Sequence, residues 1–256
     1  MPDASGLYEK PGYYALAFSY RDFAREVDVF EECIQRFSRI TVEAVLEICC
    51  GHAPHLEELH RRGYRYAGID RSEEMLTSAR SRAKACGAPA QFTNADIAHF
   101  SLPEPVDFAY VALASLYVTS TAELRAHFRA MGDALRSGGL YFMEWCVDFD
   151  PMVDIVDSWE VERDGVHIRA SYWTCSVNRI EQTYEDTLHL EINDHGTEFV
   201  LEDKAIRRRI FPQEFLAFIR DHTQFEFVGW WNDWNLDQPV TGEHGVDRPI
   251  IVVRRR

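Results

Sequence analysis

Glu47 and Asp70 each close an apolar run in VLEICCGHAPHLEELHRRGYRYAGID, which puts two carboxylates at the ends of two consecutive buried strands. Between them lie a tight turn around Gly51 and a short helix. A strand, a Gly-containing turn, a helix and a second strand ending in an acid form half of a nucleoside-binding α/β unit. The turn carries neither G-x-G-x-x-G nor the Gly-Lys-Ser/Thr ending of a P-loop, so a ligand without phosphates is expected. A third acid, Asp96 in TNADIAHF, follows the next apolar run.

The elements needed to position these acids can be read from the periodicity. Phe23, Val27, Phe30, Ile34 and Phe37 recur at helical spacing behind an aromatic run of Tyr13, Tyr14, Phe18 and Tyr20. The expectation is one amphipathic helix over 13–37 with an aromatic lead-in. Strands are predicted at 41–50, 64–70, 90–94, 106–113 and 140–146. Helices should alternate with them: one opened by Pro54 and closed by Gly63, one capped by Ser72 and stopped at Gly87, and one started by a Ser120–Glu123 capping box. In the last, Leu124, Phe128, Met131 and Leu135 line one face until Gly138 and Gly139 break it. Such alternation predicts a parallel sheet with its ligand crevice at the carboxyl strand ends.

The pattern changes after Pro151. Three long β segments, 166–175, 179–193 and 198–210, follow without intervening helices, with turn signals at Asp164-Gly165 and 193–196. They predict an antiparallel insert. A helix at 212–222 and strands at 225–231 and 249–253 close the chain. The expected fold is therefore α/β, a Rossmann-like seven-stranded mixed sheet with helices on both faces and an antiparallel β insert after the fifth strand. It is expected to be a single domain over 1–256, divided into an N-terminal helical segment (1–40), a ligand-binding core (41–150), the insert (151–211) and a closing segment (212–256).

The stretch VLEICCGHAPHL resembles the first motif of class I S-adenosylmethionine-dependent methyltransferases, a hydrophobic strand followed by D/E-x-G-x-G-x-G. Cys49 and Ala53 stand where two of its glycines are expected. A Cβ at either position makes a positive φ expensive, so a wider loop or extended backbone is expected there. Among small-molecule members the likeness is to deoxyaminosugar N,N-dimethyltransferases and to glycine or sarcosine N-methyltransferases, through Tyr14 and the SYRDF segment, Ser19 to Phe23, which resembles their N-terminal lid.

The resemblance implies S-adenosyl-L-methionine as cofactor, with Glu47 near its ammonium, Asp70 on the ribose hydroxyls and Asp96 on the adenine amino group. It further implies cofactor contacts from Tyr14, Tyr20, Arg21, Cys49, Gly51, His52, His55, Arg71, Met75, Ile97 and Leu113. His52 and His55 would hydrogen-bond the loop or touch the cofactor carboxylate. VDFAYVALASLYV resembles the family's substrate-adjacent motif, which puts Ser115 and Tyr117 beside the transferred methyl. Tyr14, Tyr117 and His189, the last a base or orienter from the insert, are the candidate catalytic residues. The reaction implied is methyl transfer to a small molecule, with an amine nitrogen ahead of oxygen, sulfur or carbon. A methyltransferase-fold binding protein without turnover is the alternative, and a nicotinamide dehydrogenase is disfavoured by the missing glycines.

With 256 residues and 46% hydrophobic content, the chain can bury one sizeable core. A net charge of -15 argues against a nucleic-acid partner. Six cysteines without a C-x-x-C pair, and ten histidines without an H-E-x-x-H or H-x-x-x-H pattern, argue for free thiols in a reducing compartment and against a metal site. Neither a signal-like leader nor a membrane-length apolar run is read, so a cytoplasmic protein is expected, with exposed insert strands able to pair in a homodimer.

Overall fold

The computed structural model describes residues 6–150, 154–242 and 245–256. Its elements in chain order begin with helices α1 (Pro11–Ala17) and α2 (Phe23–Phe37), followed by strand β1 (Ala44–Ile48), α3 (Leu56–Arg61), β2 (Arg65–Asp70), α4 (Glu73–Cys86) and β3 (Ala90–Asn94). Strand β4 (Val106–Val111), α5 (Thr121–Ala134) and β5 (Leu135–Glu144) complete the alternating part. Four strands then run together, β6 (Val156–Arg163), β7 (Val166–Asn178), β8 (Thr183–Asp194) and β9 (Thr197–Arg208). Helix α6 (Pro212–His222), β10 (Phe225–Trp231) and β11 (Ile250–Arg255) end the chain.

The chain divides into two compact units, Met1–Asp22 with Met152–Arg209 and Phe23–Pro151 with Ile210–Arg256. The second holds a seven-stranded sheet in the order β10-β11-β5-β4-β1-β2-β3. Its five strands from β5 to β3 pair in parallel, while β11 pairs antiparallel with both β5 and β10. Because β1 and β4 are central, every residue of both is buried. Two apolar layers flank the sheet, one gathered around Phe128, Tyr141 and Phe215 and the other around Phe30, Phe108 and Phe142. Parallel strands covered on both faces read as continuous hydrophobic runs, which is why their sequence shows no alternation.

Local chemistry explains where the helices begin and end. Ser72 Oγ accepts from Met75 N–H at 3.2 Å, and Gly87 takes the left-handed C-cap with φ 69°. At α5, Ser120 Oγ accepts from Glu123 N–H, but the Glu123 carboxylate reaches back to Thr119 N–H rather than to the cap residue. Helix α3 opens two residues beyond Pro54, which sits in the preceding turn. Leu135 belongs to β5, not α5, because it pairs with Val106. The ladder then resumes at Phe108–Leu140, with the Gly138-Gly139 turn bulging between.

The smaller unit holds the sheet β6-β7-β8-β9, antiparallel throughout. Two-residue turns at Asp164-Gly165 and His195-Gly196 have positive φ at both positions, the hairpin geometry that matches strand twist. One strand beyond the three expected is present. β6, VDSWEVER, is a mostly exposed edge strand rich in charge, so it carries no apolar run to announce it. The N-terminal segment also differs from expectation, being two helices rather than one. Phe18 to Asp22 interrupts the helical path, and α1 belongs with the insert, where Tyr13 Oη donates to Asp194 at 2.6 Å and Trp159 Nε1 donates to the Ala17 carbonyl at 2.7 Å. Pro151, where the sequence pattern changes, lies outside the described residues.

Candidate active site at the carboxyl ends of the parallel strands

The turn after β1 adopts left-handed backbone at Cys49 (φ 52°), Gly51 (φ 51°) and Ala53 (φ 53°). The expectation of a wider or extended loop is thus corrected: the chain keeps a glycine-type path with two Cβ atoms in it. Each non-glycine left-handed residue costs about 1–2 kcal/mol. Tertiary contacts hold them in place. Ala53 is fully buried, its N–H donates to Cys50 O at 2.7 Å, and Cys49 Sγ reaches Ser115 O at 3.3 Å. Ala53→Gly is expected to leave the melting temperature within about 2 °C of the parent, since relief of strain offsets the loss of a buried methyl group. A thermal melt showing a much larger drop would mean that the turn is unstrained.

Asp70 governs this turn from the end of β2. Its Oδ2 accepts from Gly51 N–H and its Oδ1 from Ser72 N–H, both at 2.8 Å. Burial pushes its pKa up and these two backbone donors pull it down, with a net upward direction. Each oxygen keeps a further lone pair, so the carboxylate can still accept two hydroxyls. Gly51 leaves the floor open, the nearest atom to a Cβ there being Met75 Sδ at 4.0 Å. Gly68, beneath, admits Cys50: a Cβ would lie 2.8 Å from Cys50 Sγ.

The neighbouring loops supply the remaining predicted residues of this unit. The Arg71 guanidinium lies 5.5 Å from the centre of the Tyr117 ring, joining the β2 and β4 loops. Leu113 and Ala114 both have φ of 53°, and Leu113 N–H donates to Glu144 Oε2 at 2.8 Å. Asp96 is exposed and accepts from Ala98 N–H at 2.8 Å, while Ile97 is buried. Ile97 O accepts from buried His127 Nδ1 at 2.9 Å, and His127 Nε2 accepts from Tyr141 Oη at 3.0 Å.

Burial lowers the His127 pKa from 6.5 to about 4, so the ring is neutral at pH 7. Between those values the unfolded chain binds a proton that the folded chain refuses. Stability is therefore complete above pH 6.5 and falls as the pH drops towards 4, by up to about 3 kcal/mol. Urea melts of the parent and of His127→Gln across this range should show a steeper acid loss in the parent.

On the opposite side of the turn Glu47 is buried, and both of its oxygens are engaged. Oε1 lies 3.1 Å from His55 Nδ1, and Oε2 accepts from Tyr66 Oη. Burial beside Glu47 raises the Tyr66 pKa well above its ordinary value, which keeps the phenol a donor. His55 Nε2 in turn lies 2.8 Å from Glu26 Oε2. The buried imidazole thus bridges two buried carboxyl groups, Glu26 on α2 and Glu47 on β1. His52 is buried beside them. The sequence reading missed Glu26, Tyr66 and Glu144. Their signal was a lone acid on the apolar face of α2, between Phe23 and Phe30, and another inside the apolar strand YFMEWC.

Tyr14, Tyr20, Arg21 and His189 belong to the smaller unit. The Tyr14 ring packs 4.7 Å from Phe18, and Tyr20 lies 6.2 Å from Trp159. His189 Nδ1 lies 2.9 Å from Glu202 Oε2, with the Trp173 ring alongside. Among the described residues no group of His, Cys, Asp or Glu is arranged to hold a metal ion.

Comparison with known proteins fits this geometry. Residues 45–139 match the methyltransferase domain family. The N,N-dimethyltransferase of dTDP-3-amino-3,4,6-trideoxy-alpha-D-glucopyranose from Streptomyces venezuelae is 27% identical over 152 residues, 57% of this chain. The match spans 60% of that relative's length. The crystal structure of Streptomyces venezuelae DesVI superposes with a TM-score of 0.76 at 20% identity, covering 95% of each chain. The S-adenosylmethionine-bound amino pentose methyltransferase CalS10 from Micromonospora echinaspora gives 0.73 at 20% identity, over 95% of this chain and 97% of that one. The chain has the fold of the class I S-adenosylmethionine-dependent methyltransferases.

Proposed function

We propose that the chain transfers a methyl group from S-adenosyl-L-methionine to a small-molecule acceptor, with an amine nitrogen as the acceptor atom. The observation that carries this is the left-handed turn Cys49–Ala53 tied through Gly51 N–H to Asp70, whose two oxygens each keep acceptor capacity. That donor and acceptor set fits a nucleoside with vicinal hydroxyls. When bound, S-adenosylmethionine supplies a methyl group on a sulfonium, open to in-line displacement. The residues of the chain bind and orient: Asp70 takes the ribose hydroxyls, Asp96 the adenine edge, and Leu113 and Met75 the apolar sides. Arg71 joins the cofactor contacts, and Tyr117, whose ring lies 5.5 Å from its guanidinium, faces the acceptor. Glu47, oriented by His55 and Tyr66, keeps a further lone pair on each oxygen and is assigned to the ammonium end of the cofactor.

An amine acceptor is supported by the Streptomyces venezuelae relative, whose name gives N,N-dimethylation of an amino sugar. For such an acceptor, alignment and water exclusion supply most of the rate, and a neutral lone pair replaces a dedicated base. Tyr14, Tyr20 and Arg21 as cofactor contacts, and His189 as orienter or base, complete the proposal. Cys49 and Ala53 in the turn do not argue for a protein without turnover, since both take the left-handed backbone that glycine would take. Incubation with S-adenosylmethionine and a panel of small amines, phenols, thiols and carboxylates tests the reading by mass spectrometry. Methylated amine is expected, and methylation confined to the phenols or thiols would move the acceptor atom.

No described helix is long and apolar enough to cross a membrane. The net charge of -15 supports an enzyme with no nucleic-acid partner, for which we propose a cytoplasmic location. Val156, Val177 and Ile180, at 83%, 59% and 91% exposure, are large apolar side chains on the insert sheet and its turn. They support a homodimer through the insert, for which light scattering should give twice the chain mass and Ile180→Lys a monomer.

A further inference from the structure

One carboxylate links the turn after β4 to the C-terminal segment between β10 and β11. Glu144, at the end of β5, is fully buried, and its Oε2 accepts from Leu113 N–H while its main-chain oxygen accepts from Ala114 N–H at 3.2 Å. Both residues of that left-handed pair are thus held by a single residue. Its other oxygen, Oε1, accepts from Trp234 Nε1 at 2.7 Å and from Arg248 through Nη2 at 2.6 Å and Nε at 3.0 Å. Arg248 Nη2 also lies 3.6 Å from Glu26 Oε1, and Glu26 leads through His55 to Glu47 beneath the β1 turn.

Two independent features mark this knot. The first is charge. Three buried carboxylates, Glu26, Glu47 and Glu144, share one guanidinium and one imidazole, and a buried carboxylate without a cation is costly. The second is backbone strain. Six of the eleven described non-glycine residues with positive φ gather here: Leu113, Ala114, Trp145, Asp233, Trp234 and Arg248. Such conformations persist only where surrounding contacts over-determine them.

We propose that Arg248 is a positioning residue for the cofactor site. Through Glu144 it fixes the Leu113–Ala114 turn, and through Glu26 and His55 it neutralises the support of the Cys49–Ala53 turn. The C-terminal segment thereby sets two loops that Arg248 itself does not belong to. This inference rests on the proposed methyltransferase reading of the site.

The test uses the full chain and S-adenosylhomocysteine as the probe, titrated by calorimetry. Arg248 has a φ of 43°, so Arg248→Gly removes the guanidinium without straining the backbone. Affinity is expected to fall at least about tenfold and to recover when guanidinium ion or ethylguanidine is added at millimolar concentration. Arg248→Lys should recover less, since a point charge cannot reproduce the paired Nε and Nη2 donors. Affinity within twofold of the parent, or a loss that guanidinium does not restore in folded protein, overturns the proposal. If Arg248→Gly does not fold, Arg248→Lys and Glu144→Gln are combined in a cycle. Strong non-additivity in probe affinity supports the coupling and additivity refutes it. A parent chain that binds no S-adenosylhomocysteine refutes the proposed function, and this inference with it.

Discussion

Asp70→Ala is expected to weaken S-adenosylmethionine binding by about 10²- to 10³-fold, because one carboxylate does two jobs at once. It accepts Gly51 N–H and Ser72 N–H, and so fixes the turn after β1 against the start of α4. In the proposed complex it also takes the ribose hydroxyls. Hydrogen bonds to an ionised acceptor are worth about 1.5–3 kcal/mol each, and two backbone donors are left without their partner when the carboxylate goes. Asp70→Asn should fall between the parent and alanine, because an amide keeps one acceptor but turns an NH2 towards a backbone N–H. Calorimetric titration of the three proteins decides the matter. Equal affinities would show that Asp70 is only a turn residue.

His55→Leu is expected to destabilise the larger unit by about 3–5 kcal/mol, a fall in melting temperature on the order of 10 °C. The imidazole stands between Glu26 Oε2 at 2.8 Å and Glu47 Oε1 at 3.1 Å, with no exposed surface. Removing it leaves two buried carboxylates on α2 and β1 facing an apolar side chain. Restoring an apolar surface does not compensate for unpaired buried charge. Glu26→Gln together with His55→Leu should recover part of the loss, since one of the two charges is then gone. Melting followed by circular dichroism is the measurement. A single-variant shift of only 1–2 °C, on the order of an exposed substitution, would show that the imidazole between the acids contributes little.

These two sites show which parts of the chain were legible. Asp70 stands at the end of an apolar run and Ser72 two residues later, so their local geometry follows from neighbours in sequence. The same is true of Gly87 as a left-handed cap and of Asp164-Gly165 as a hairpin turn. The break between α1 and α2 was not legible, because aromatic spacing continues through Phe18 to Asp22 without a Gly or Pro to mark it. Nor was β6, whose edge position requires charge rather than apolar residues.

The buried polar network was hidden for a different reason. Glu26, Glu144 and Arg248 meet through tertiary structure, separated by more than a hundred residues at each step. No local pattern pairs them. A lone acid inside an otherwise apolar face is the trace such a network leaves, and each such acid needs a partner somewhere in the fold. The turn after β1 shows the reverse case. Its sequence, ICCGHAP, departs from the glycine-rich pattern, yet its backbone does not, because burial of Ala53 and the Asp70 contact to Gly51 impose the conformation.

Calorimetric titration of the intact chain with S-adenosylmethionine, S-adenosylhomocysteine and NAD tests the central claim most directly. Saturable one-to-one binding of both sulfur nucleosides, without binding of NAD, is the predicted result. A folded chain that binds neither sulfur nucleoside would contradict the account.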